Sequence, residues 1–265
     1  MRRAIGWVGQ ALALAGAVVV VGRAAFFPPP TRAAAIAAAR APQRADSAPV
    51  RALLQAARGV NATVCELAAS TVDGRSGWSS RGDGGFRAGG SPDSPGIDMV
   101  SWIHNREVDA ASVPMLQAAL ADPDWCVRRL AAPLLGRIEH PSAVQAMLSA
   151  LAASEPTTRE MAALALGFAE DPRSVDPLVA RLRDDAPRVR ATAAWALGEL
   201  ERRETVRPLI AVLADADALV RESAARALGE IEDTTAIPAL TDLLKSDRDA
   251  SVRRAAAWAL GEIAG

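Results

Sequence analysis

Five glycines, Gly136, Gly167, Gly198, Gly229 and Gly261, stand 31, 31, 31 and 32 residues apart. An arginine keeps the same step at Arg128, Arg159, Arg190, Arg221 and Arg253. The residue before it is Val127, Val189, Val220 or Val252, with Thr158 as the exception. Between these marks each block carries two helical patterns. The first, Val189, Ala193, Ala196, Leu197 and Leu200, is apolar at steps of three and four. The second is "VRPLIAVL" from Val206 to Leu213. Two short helices cannot enclose a core, but stacked copies shelter one another, so the period predicts a row of about five 31-residue helix pairs.

The punctuation of each block agrees with that reading. Proline stands near the start of the second helix at Pro114, Pro177, Pro208 and Pro238, where its missing N–H costs little. Acids able to cap the first helix precede it at Asp122 and Asp124, Asp185, Asp215 and Asp217, and Asp247 and Asp249. The periodic glycine is expected to let the chain turn and the two helices approach. Aromatic residues make up only 4% of the chain and tyrosine is absent, which also favours helix over sheet. The lattice reaches back to residue 97, with Asn105 at the glycine position and Ile97 at the arginine position, a degenerate capping unit. At the other end "SVRRAAAWALGEIAG" supplies a first helix alone.

Upstream the chain changes character. "MRRAIGWVGQALALAGAVVVVGRAAFFPPP" has two arginines, an apolar stretch and small residues, the pattern of a signal peptide or an uncleaved N-terminal anchor over 1–25. Either puts the body outside the cytoplasm, periplasmic, secreted or held at the outer side of the inner membrane. Residues 26–48 read as a Pro/Ala/Arg-rich linker, 49–73 as a helical pair, 74–96 as a Gly-rich flexible loop with eight glycines, and 97–265 as the repeat array. Residues 1–60 carry a net +7, leaving −8 for the remainder of a chain whose total is −1. An acidic body is unsuited to nucleic acid, which calls for a clustered basic face.

The recurring "D…VRxxAAxALGEI…PL…L" resembles the HEAT-like repeat family in its short-period bacterial, phycobilisome-lyase-type form, over roughly 97–265. The resemblance implies an all-α fold, a right-handed α-solenoid whose concave face is built by the second helices. The small helical segment and the N-terminal apolar helix would precede it. Some relatives in that family are metal enzymes that use His-Glu pairs on the repeat helices. This chain has two histidines, His104 and His140, and Glu139 precedes His140 in the reverse order. No catalytic residue, metal or cofactor is expected.

The repeated arginines are expected to form a ladder with acids of their own and the neighbouring unit rather than an anion site. Trp195 and Trp258 occupy equivalent positions, where other units have Pro133, Leu164 and Arg226; they serve either as exposed contacts or as packing between units. Cys65 and Cys126 are the only cysteines, either bridged or two buried thiols. On the second helices Asp176, Arg181, Arg207, Thr241, Asp242 and Lys245 are the candidate partner-binding residues. Their mixed signs suit a protein partner. The expected function is a non-enzymatic protein-interaction scaffold that meets a membrane only through its N-terminal segment. The alternative is an enzyme or an accessory subunit of one.

Overall fold

The structure, a computed structural model, describes residues 47–73 and 108–265. The N-terminal apolar stretch, most of the linker, the Gly-rich loop with Trp78 and Phe86, and residues 97–107 with His104 and Asn105 lie outside the described residues. Among the described residues no helix is long and apolar enough to cross a membrane.

Twelve α-helices are described, and there is no strand among the described residues. Helices α1 (Ala48–Ala56) and α2 (Ala62–Asp73) form the leading pair. The first helices of the repeat are α4 (Trp125–Gly136), α6 (Pro156–Ala169), α8 (Pro187–Glu199), α10 (Ala218–Ile231) and α12 (Ala250–Ala264). The second helices are α3 (Val113–Ala119), α5 (Pro141–Leu151), α7 (Val175–Arg181), α9 (Val206–Val212) and α11 (Ile237–Ser246). First helices pack directly on one another, α4 on α6, α6 on α8, α8 on α10 and α10 on α12, and the second helices line the flank of that row. The chain is an α-solenoid.

The core alternates between two kinds of residue. Leucines such as Leu166, Leu178, Leu197, Leu209, Leu228 and Leu240 are fully buried between the two rows, each contributing about 1.5–3 kcal/mol on burial. Between successive first helices alanines come close to the periodic glycines, Ala196 to Gly167, Ala227 to Gly198 and Ala259 to Gly229, and all three alanines are buried. The periodic glycine belongs to this close approach. A Cβ on Gly198 would lie 2.8 Å from the Cα of Ala227, and one on Gly229 would lie 2.9 Å from the Cα of Ala259. The expectation that this glycine makes the turn is therefore corrected. At Gly167, Gly198 and Gly229 it sits inside the helix, and the left-handed residues that reverse the chain there are Glu170, Glu201 and Glu232, with φ of 48°, 48° and 53°.

Asp124, Asp217 and Asp249 cap α4, α10 and α12, accepting from the N–H groups of Cys126, Leu219 and Ser251. Asp185 does not cap α8. The N-cap there is Ala186, and the Asp185 carboxylate instead accepts from Arg159 Nη2 at 2.6 Å.

The leading pair is fastened to the array in two ways. Cys65 of α2 and Cys126 of α4 are joined by a disulfide with a Cα–Cα distance of 5.7 Å. Arg58, just past α1, donates to both carboxylate oxygens of Asp122 at 3.2 and 2.6 Å, while the Gly59 N–H donates to Asp124 at 2.9 Å.

Candidate functional site: the ladder-helix face

The periodic arginines lie near the start of each first helix and reach two neighbouring loops at once. Arg190 donates through Nε and Nη2 to the two carboxylate oxygens of Asp215, at 2.8 and 2.9 Å, and through Nη1 to the Asp184 carbonyl at 2.8 Å. Arg159 holds Asp184 in the same way at 2.8 and 2.7 Å, and Arg221 holds Asp247 at 2.7 and 3.0 Å. Each of these acids also accepts from the N–H two residues on, in Ala186, Asp217 and Asp249. One planar fork thus ties a unit to the next while closing its own loop.

Burial works against the charges of Asp184 and Asp215, but the hydrogen bonds from Arg159 and Arg190 and from the following N–H outweigh it. Both carboxyls are held below the usual carboxylate range. For Asp247 the Arg221 fork is itself the largest influence, lowering it against burial.

The tightness of the first-helix row has a geometric result. Alanine and glycine space these helices closely, while consecutive second helices α7, α9 and α11 pack on one another less closely. A row spaced more tightly than its companion is the inner side of a curved stack. The first helices, not the second helices to which the resemblance assigns the concave surface, therefore line the inner side. Two hollows open on this row. One, of about 560 Å³, is lined by Trp125, Arg128, Arg129, Glu160 and Arg188, with Glu66 at its α2 side. The other, of about 350 Å³, lies among Trp195, Glu199, Arg226, Glu230 and Trp258.

Both readings of the tryptophans apply in part. Trp195 and Trp258 pack across units, since a Cβ on Gly167 or Gly229 would come within 2.7 Å of the respective indole Cζ3. Trp195 also meets the Phe168 ring edge-on at 5.3 Å. Trp258 nevertheless keeps 36% of its surface exposed, and the Arg226 guanidinium lies 6.0 Å from its ring centre.

The second-helix candidates are not brought together into one site. Asp176, Arg207, Asp242 and Lys245 are exposed, and none of them forms an ion pair among the described residues; Thr241 is half-buried. Arg181 is half-buried and committed to Asp184 at 3.3 Å. His140 caps α5, accepting from the Ser142 N–H through Nδ1 at 3.2 Å. Among the described residues no group of three His, Cys, Asp or Glu is arranged to hold a metal ion. Sequence reasoning missed the large hollow and the residues Trp125, Arg129 and Arg188 that line it. The missing signal was the facing of the first helices, which period alone does not orient.

These features define a helical-repeat solenoid with an arginine ladder along its inner row. A family model of HEAT repeats matches residues 113–191 and 175–261, more than half of the chain. The chain belongs to the HEAT repeat family.

Similar solved structures include the complex of CpcE and CpcF of phycocyanin lyase from Nostoc sp. PCC7120, at 28% identity and TM-score 0.48, covering 57% of this chain and 64% of that one. This chain thus spans less than two-thirds of that relative's length. Human deoxyhypusine hydroxylase in complex with glycerol is similar at 20% identity and TM-score 0.42, covering 81% and 84%. A designed armadillo repeat protein is similar at 16% identity and TM-score 0.42, covering 80% and 98%. No curated protein matches the chain.

Proposed function

We propose that this chain is a non-enzymatic scaffold that binds a protein partner on its solenoid surface, outside the cytoplasm. The observation that carries the reading is the HEAT-repeat array over 113–261, whose inner row presents exposed tryptophan and mixed charge in open hollows. Such a surface suits a partner with both apolar and charged side chains. The Cys65–Cys126 disulfide supports an oxidising compartment, as does the arginine-flanked apolar stretch at 1–25.

Cross-linking of the full chain in its native host, with fractionation and N-terminal sequencing of the mature protein, tests both halves. One protein cross-linked in near-equal amount, from an extracytoplasmic fraction, is the expected result. Recovery in the cytoplasm with both thiols reduced would overturn the compartment. Turnover with a stoichiometric metal would overturn the scaffold in favour of an enzyme or its accessory subunit.

A further inference from the structure

All five ladder arginines hold one pose. Nη1 of Arg128 donates to the carbonyls of Asp122 and Pro123, that of Arg159 to Ala153 and Ser154, that of Arg190 to Asp184 and Asp185, that of Arg221 to Asp215 and Ala216, and that of Arg253 to Asp247. In Arg159, Arg190 and Arg221, with Nη1 anchored, the Nε/Nη2 fork reaches the loop of the next unit. There it meets Asp184, Asp215 or Asp247, each six residues before the following ladder arginine. The residue six before Arg159 is Ala153. The joint between α4 and α6 therefore has the arginine and its anchor but a methyl group where the carboxylate belongs.

Arg128 is half-buried and lines the 560 Å³ hollow together with Arg129, Arg188 and the 37%-exposed Trp125. Arg188 is already paired with Glu160 at 3.1 Å, whereas the Arg128 fork has no carboxylate among the described residues. We propose that this gap is a carboxylate-binding site that takes an acidic side chain of a protein partner. It rests on the adaptor reading above and names the chemistry by which the partner is held.

The fork presents two parallel N–H donors, the arrangement that receives a planar carboxylate through both oxygens. The three filled joints show the same frame accepting that group. Glu66 and Glu160 also border the hollow, and their charge disfavours a doubly charged phosphate over a singly charged carboxylate. Trp125 offers an aromatic surface for the apolar stem of the incoming residue.

The test is titration of the full chain with a labelled hexaglutamate peptide, read by fluorescence anisotropy, with inorganic phosphate as competitor. Saturable binding is expected, weakened by about tenfold or more in Arg128→Gln, the effect of losing one charge-assisted pair. Ala153→Asp supplies the carboxylate internally. It is expected to weaken binding to the same degree while its melting temperature holds or rises, which separates blocking from unfolding. Peptide binding by Ala153→Asp equal to the parent, no saturable binding by the parent, or displacement by phosphate as effective as by unlabelled peptide would each overturn the proposal. None of these touches the cross-linking result, so the adaptor reading stands or falls separately.

Discussion

Gly198 and Ala227 face each other across the joint between α8 and α10, so closely that a Cβ on the glycine would lie 2.8 Å from the alanine Cα and 2.9 Å from its Cβ. Both contacts are with parts of a helix that cannot swing aside. Gly198→Ala is therefore expected to destabilise by about 1–3 kcal/mol through overpacking. A Cβ on Gly261 meets nothing, so Gly261→Ala should stabilise by roughly 0.5–1 kcal/mol through helix propensity alone. Urea unfolding of the two variants decides it, and equal shifts would contradict the packing account.

The ladder predicts a contrast between two ion pairs. Arg190 and Asp215 retain 15% and 12% of their side-chain exposure, whereas Arg226 and Glu222 retain 54% and 24%. Asp215→Ala strands a half-buried guanidinium and an Asp217 N–H, at a cost of about 2–3 kcal/mol. Glu222→Ala should stay within about 0.5 kcal/mol. A double-mutant cycle between Arg190 and Asp215 should return most of the first figure as coupling, and a coupling near zero would remove the ladder as a source of stability.

Acid should unfold the array through these same carboxylates. Asp184, Asp215 and Asp247 titrate below the usual carboxylate range in the folded chain, so the unfolded chain takes up their protons first. Their contribution is complete above the ordinary carboxylate value, about 4. It declines as the pH falls from there toward the depressed folded values. Denaturant midpoints measured from pH 6 to 2 should fall in that window, and Asp215→Asn should flatten the decline. An unchanged slope in that variant would assign the acid sensitivity to other groups.

Reduction of the disulfide should act locally. The bond spans 61 residues of sequence, and loop-entropy arguments place its contribution at up to about 4 kcal/mol. With Cys65→Ala and Cys126→Ala combined, α1 and α2 keep the Arg58–Asp122 pair, the Gly59–Asp124 hydrogen bond and their apolar contacts. Limited proteolysis should then cut within 47–73 first and leave 113–265 intact. Simultaneous loss of both regions would show that the pair is integral to the array.

The repeat was legible because its marks have fixed chemical reasons. An arginine must span one joint, as Arg190 does to Asp215, and a glycine must admit the next helix, as Gly198 does. What the marks do was harder to read. Gly167 and Gly198 resemble helix-ending glycines in one dimension, yet the turn falls on Glu170 and Glu201 three residues later, where local strain is imposed by packing. Asp185 looks like a cap by position but is taken by Arg159 of the preceding unit, a contact 26 residues away. Arg58 carries no repeat mark, so its part in holding Asp122 is visible only once α1 is seated. The inner side of the stack depends on the relative spacing of two helix rows, which periodicity does not encode.

That difference in spacing makes each helix pair a wedge, thin where alanine and glycine meet and thick where leucine fills the interior. The arc of the array is thus written in side-chain volume at Gly136, Gly167, Gly198 and Gly229, positions buried between neighbouring helices. Sequence drift at the exposed hollows can change what is recognised without altering the radius over which recognition is spread.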